Sequence, residues 1–128
     1  MTWQNKTILL TGASSGIGEA LAVALARKGA TLGLIARREE LLIDLAARCE
    51  AVGGKAMVLP CDVVDPTAVQ MAADKFRTEY GHIDIMIANA GIGGNDPLTR
   101  AYDPTSVKKL IDINLLGAVN SIHAVVPQ

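Results

Sequence analysis

Cysteine is nearly absent: Cys49 and Cys61 are the only two in 128 residues. Two thiols are too few for a disulfide framework and do not stand in a metal-ligand spacing, so a reducing, cytoplasmic compartment is the default expectation. His82 and His123 have no cluster of cysteines or carboxylates beside them in sequence. No metal site is expected, and both read as exposed or packed histidines. Charge of one sign is lacking too. The formal balance of −1 offers no field to gather nucleic acid or an anionic membrane, and neither is expected as a partner. The opening Met-Thr-Trp-Gln-Asn-Lys has neither the basic head nor the apolar stretch of a secretory signal, and no apolar run is long enough to span a bilayer. No repeat, low-complexity tract or linker divides the chain. What remains is one compact domain, for which 128 residues, half of them hydrophobic, suffice.

What is present is alternation. Short apolar runs at Thr7–Thr11, Thr31–Ala36, Lys55–Pro60 and Ile83–Ala88 predict strands, and helical periodicity marks Ile17–Lys28, Arg38–Val52 and Pro66–Tyr80 between them. Gly29, Gly53 and Gly81 each fall just past a helix, where a left-handed cap suits a residue without Cβ. Asp65-Pro66 opens the third helix with a capping carboxylate and a proline. Ile17, Leu21 and Leu25 are expected on the core face of the first helix, and Val69, Ala73, Phe76 and Tyr80 on that of the third. The strands are nearly continuous apolar runs, as in parallel strands buried on both faces. Right-handed βαβ units in a parallel sheet follow, giving a three-layer, doubly wound α/β fold of the Rossmann type. A last helix is expected from Asp103-Pro104 towards the end, with Val107, Ile111, Ala118, Ile122 and Val125 as its apolar stripe. Asn114 falls on that stripe, where a buried amide must find partners or cost about 1–3 kcal/mol.

Residues 11–18 read Thr-Gly-Ala-Ser-Ser-Gly-Ile-Gly, at the handover from the first strand to the first helix. In an open parallel sheet that turn aims free backbone N–H groups and a helix dipole at the crevice above the strand ends, where they attract a phosphate. Gly12 permits the tight exit from the strand, Gly16 lets the backbone approach a ligand, and Gly18 brings the helix close to the sheet. Ser14 and Ser15 add hydroxyl donors. A P-loop would need Gly-Lys-Ser/Thr, and Gly18 is followed by Glu19. The end of the second strand reads Ile35-Ala36-Arg37-Arg38. An NAD site usually places an acid there for the ribose 2′-hydroxyl. Two guanidinium groups suit a 2′-phosphate instead, so NADP(H) is expected over NAD(H), with Arg37 leading and Ser14 or Arg38 assisting. The alternative is an arginine pair bound to Glu39 or Glu40 at a solvated helix start.

The Gly12-x-x-x-Gly16-x-Gly18 spacing resembles the short-chain dehydrogenase/reductase family, and further motifs follow in register along the whole chain. The resemblance implies that Ile17 belongs to the cofactor loop. It implies that Asp62 of Cys61-Asp62-Val63 accepts from the adenine amino group while the Val63 backbone contacts the ring; the plain alternative for Asp62 is a turn residue. Asn89-Ala90-Gly91 matches the family's Asn-Asn-Ala-Gly, with Ala88 in place of its first asparagine. There Asn89 would tie neighbouring strands and secondarily touch the ligand, with Ala90 and Gly91 giving room to the ribose. The run Gly91-Ile92-Gly93-Gly94-Asn95-Asp96-Pro97 is expected to border a substrate cleft. Asn114, in Asp112-Ile113-Asn114-Leu115, matches the asparagine of the family's catalytic tetrad, which holds a water linking the catalytic lysine to solvent; a structural amide at a helix bend is the alternative.

The family's Ser and Tyr-x-x-x-Lys are not found. Position 84, four after Tyr80, is Asp84, and position 106, four after Tyr102, is Ser106. Of the family's strand order 3-2-1-4-5-6-7 the chain supplies 3, 2, 1 and 4, which would leave the fourth strand as an apolar edge. The expectation is therefore the N-terminal, cofactor-binding half of a longer protein. The implied activity is hydride transfer between a nicotinamide and a small carbonyl or alcohol substrate, in a homo-oligomer. Alternatives are a non-catalytic NADP(H)-binding module or sensor, and a methyltransferase, which the Ala36-Arg37 pair disfavours.

Overall fold

The computed structural model describes residues 2–93 and 102–126. Four parallel strands, β1 (Thr7–Thr11), β2 (Thr31–Ala36), β3 (Lys55–Pro60) and β4 (Ile85–Ile87), form one sheet in the order β3-β2-β1-β4. Helices α1 (Gly16–Ala26), α2 (Glu39–Ala51) and α3 (Pro66–Tyr80) connect them in turn. Period-two geometry sorts the strand side chains onto two cores. Ile8 and Leu10 of β1 and Leu32 and Leu34 of β2 pack against Ala22 and Leu25 of α1 and Leu42 and Leu45 of α2. On the other face Leu9, Ile35 and Leu59 meet Val69, Ala73 and Phe76 of α3. The three layers match the expectation.

The first three strands lie where the apolar runs placed them. β4 is shorter than the expected Ile83–Ala88, for a physical reason at each end. Asp84 turns its carboxylate onto the start of β1, accepting from the Thr7 amide at 2.9 Å and hydroxyl at 3.1 Å, with Lys6 at 3.2 Å. At the far end Asn89 leaves the ladder to serve Thr11 and Gly12. The capping glycines all have positive φ, and Asp65 accepts from the amides of Thr67 and Ala68 at the start of α3. Ile17 is a correction. It is 78% exposed, and the core face of α1 is carried by Gly18, Ala22, Leu25 and Ala26.

The last helix differs most. It runs as α4 (Pro104–Ile111), a π turn (Asp112–Leu116) and α5 (Gly117–His123). The π turn inserts an extra residue, seen in the Gly117 amide reaching back to the Asp112 carbonyl. One extra residue rotates everything after it, so the single stripe of Val107, Ile111, Ala118, Ile122 and Val125 does not form. Ile111 and Ile122 are about half exposed, while Gly117, Ser121 and Ala124 are buried against α3 and its preceding loop. A Cβ at Gly117 would stand 2.6 Å from the Val63 side chain, which is how close α5 comes. Gln70 and Arg77 of α3 donate to the Ala124 carbonyl. No described helix is long and apolar enough to cross a membrane.

Candidate functional site

The strands direct their C-terminal ends to one edge of the sheet, and the chain leaves β1 first towards β2 and later returns to its other side with β4. Connections diverge at that switch point, and a crevice opens between them. Its volume is about 200 Å³, and it gathers residues from four loops. Gly12, Ser14 and Ser15 come from the turn after β1, and Ala36, Arg37 and Arg38 from the end of β2. Cys61, Asp62 and Val63 follow β3, Ala90, Gly91 and Ile92 follow β4, and Ile113 reaches in from the π turn.

The turn after β1 is packed from below and open above. Gly12 has φ of 65°, and a Cβ on it would stand 2.8 Å from the Ala90 Cα. A Cβ on Gly18 would fall 2.1 Å from the Gly12 carbonyl oxygen and 2.7 Å from the Asn89 amide nitrogen, so α1 sits directly on the turn. Gly16, with φ of 57°, faces open space, where a Cβ would meet nothing within 4 Å. Ser15 occupies the N-cap position of α1 without a side-chain capping bond, so the first amides of that helix are not consumed by their own cap.

A hub beneath the crevice holds β1 to β4. The buried Thr11 hydroxyl accepts the amides of Asn89 and Ala90, each at 3.0 Å. The Asn89 side-chain amide donates to the carbonyls of Thr11 at 3.2 Å and Gly12 at 3.3 Å. Asn89 therefore ties the two strands and lies under the crevice, outside its lining.

Arg37 and Arg38 are exposed and form no ion pair among the described residues. The pairing with Glu39 or Glu40 is not formed, and both residues line the crevice. Asp62 has a structural contact, its Oδ1 accepting the Val64 amide at 3.1 Å. Its other oxygen has no hydrogen-bond partner among the described residues. Buried Val63 accepts the Asn120 side chain at its carbonyl, at 2.9 Å. The Cys61 thiol is pushed up to about 11 by burial and by the carboxylates of Asp62 and Asp65, so it is protonated at neutral pH and a poor nucleophile.

Asn114 lies at the centre of the π turn, and its partners are backbone. Its Oδ1 accepts the Ile92 amide at 2.7 Å and its Nδ2 donates to the Ile92 carbonyl at 2.8 Å. It is exposed, so the expected burial is corrected. The amide nevertheless found the partners that an apolar stripe could not supply. Gly16, Ile17 and Gly18 do not line the crevice, and of the run from Gly91 to Pro97 only residues 91–93 are described. Ile92, within the run expected to border a cleft, lines the crevice, whereas Thr11 and Ile113 were given no role by the sequence. Their positions beside Gly12 and Asn114 were the available signal.

The family model for short chain dehydrogenases matches residues 6–128. An uncharacterized oxidoreductase of Listeria innocua is 42% identical over 127 residues, which is 99% of this chain and 51% of that protein. The crystal structure of a short-chain type dehydrogenase/reductase from Mycobacterium marinum superposes with a TM-score of 0.89 at 34% identity, covering 95% of this chain and 49% of that one. Carveol dehydrogenase from Mycobacterium avium, in complex with NAD, gives a TM-score of 0.90 at 28% identity, covering 97% and 49%. The chain spans a third to about half the length of the curated relatives it matches.

Proposed function

The chain belongs to the short-chain dehydrogenase/reductase family, and on that footing we propose that it is the dinucleotide-binding half of an NADP(H)-dependent oxidoreductase acting on a small carbonyl or alcohol. The observation that carries the reading is the crevice itself, where a bare glycine turn and two arginines without ion-pair partners among the described residues border one space. The relatives named above are an oxidoreductase and dehydrogenases, which supports a redox enzyme over a binding module.

The donor set fits a dinucleotide. The turn from Gly12 to Gly18 presents main-chain amides, with the Ser14 and Ser15 hydroxyls, to a pyrophosphate; Gly16 leaves the approach clear, and Ile17 contributes its backbone. Arg37, helped by Arg38 and Ser14, meets a 2′-phosphate. The free oxygen of Asp62 accepts from an adenine amine, with Val63 along the ring. Ala90 and Gly91 give the ribose a flat wall, which Asn89 holds in place from below. The bound cofactor supplies the hydride chemistry. Asn114 uses one acceptor and one donor site on Ile92, leaving one of each to hold a water on a proton path. Carveol dehydrogenase carries NAD, so the choice of the phosphorylated form here rests on Arg37 and Arg38. A cytoplasmic location accompanies this reading, on the two free thiols. So does a homo-oligomer, on the apolar side chains exposed along the last helix.

Fluorescence titration of the full-length protein with NADPH and NADH tests it. Arg37→Glu should weaken NADPH by about 10-fold or more, from about 1.5–3 kcal/mol per charge-assisted bond, and leave NADH within twofold. NADPH affinity unmoved by that change would remove the cofactor assignment.

A further inference from the structure

A second hollow, a lobe of about 310 Å³, lies beside the crevice between the end of β2, the loop after β3 and the α4–π segment. Arg37, Asp62 and Ile113 line both spaces, so the two are neighbours with a shared wall. The lobe lies on the β2–β3 side of the switch point, the side that takes the adenosine half of a dinucleotide in doubly wound folds. Three cations border it, Arg37, Lys108 and Lys109, against the carboxylates of Asp62 and Asp112. Lys108 is ion-paired with Asp112, and Asp62 has one oxygen on the Val64 amide. Arg37 and Lys109 are left without an ion-pair partner among the described residues, though they come from elements 72 positions apart. Two like charges bordering one space repel each other, and an anion admitted between them relieves that repulsion.

We propose that Lys109 is a second determinant of cofactor choice, adding to Arg37 the positive potential that favours a 2′-phosphorylated dinucleotide. The proposal rests on the dinucleotide reading above. Lys109 acts from α4, outside the glycine turn and the segment after β2 where the sequence placed selectivity. It also stands in the last turn of α4, where a lysine favours the helix dipole. A purely helical role would change stability and leave selectivity alone.

The test is the affinity of the full-length protein for NADPH and NADH, at low and physiological salt, for wild type, Lys109→Gln, Lys109→Arg and Lys108→Gln. We expect Lys109→Gln to weaken NADPH by about three- to fivefold, as for a solvent-exposed charge pair. NADH should stay within 1.5-fold, the loss should shrink at higher salt, Arg should restore binding, and Lys108→Gln should have a smaller effect. Equal weakening of both dinucleotides, or of neither, overturns the role of Lys109 while wild-type binding of NADPH keeps the dinucleotide reading intact. Wild-type protein that binds neither dinucleotide overturns that reading, and the role of Lys109 with it.

Discussion

Asp84 stands between two isoleucines, and its carboxylate accepts the Thr7 amide, the Thr7 hydroxyl and Lys6, with His82 Nε2 at 3.3 Å. The Thr7 amide first, then Lys6 and the Thr7 hydroxyl, hold its carboxyl down to about 2, from an ordinary 3.8, against the opposing effect of burial. A depressed carboxylate stabilises the fold above its unfolded value and loses that contribution as pH falls through the folded one. Asp84→Asn should therefore lower the unfolding midpoint at pH 7, and the gap from wild type should close between about pH 4 and pH 2. Thermal melts across that range check it. The apolar run hid this residue, because a carboxylate inside a strand pattern gives no sign of which strand end it serves. Gly33 is the other single position with a sharp consequence. A Cβ there would stand 2.3 Å from Leu9 and 2.9 Å from the ring of Phe76, which is fully buried. Gly33→Val should destabilise by about 1–3 kcal/mol through overpacking, read from urea midpoints.

Among the elements, the last helix carries the lesson. Its start was legible, since Asp103-Pro104 is a capping pair and Asp103 accepts the Thr105 amide at 3.1 Å. Its buried face was not. Sequence periodicity assumes one unbroken 3.6-residue turn, and the π turn at Asp112–Leu116 changes the phase midway. What stabilises that phase change is a tertiary contact, the paired hydrogen bonds between Asn114 and the Ile92 backbone. Asn114→Ala should release them, at about 0.5–1.5 kcal/mol per bond, and raise amide exchange at Ile92 by about tenfold. Hydrogen exchange followed by NMR measures this. Exchange at Ile92 unchanged in the variant would mean that the helix phase is held elsewhere. The close packing of the glycine turn, by contrast, was legible, because Gly12 and Gly18 face backbone atoms that any βα turn of this type brings close.

At the scale of the molecule, β4 pairs only with β1 among the described residues, and Leu115, Val119 and Ile122 of the last helix and Val126 just past its end are each at least half exposed. Their spacing of four, three and four makes a continuous apolar stripe. The 128-residue chain by itself should therefore self-associate at micromolar concentration. Val119→Lys with Ile122→Lys should shift it towards monomer in sedimentation velocity, leaving its melting temperature within a few degrees because neither side chain is in the core. The sequence by itself determined the first three strands, the helices between them, the doubly wound class and the packing of the glycine turn, since each depends on local periodicity, capping or backbone sterics. Only the tertiary structure decided that the arginines after β2 stay out of ion pairs among the described residues, that Asp84 and Asn89 close the two ends of the β1–β4 seam, and that α5 buries Gly117 and Ser121. Those outcomes depend on distances between residues far apart in the chain, and no local pattern encodes a distance.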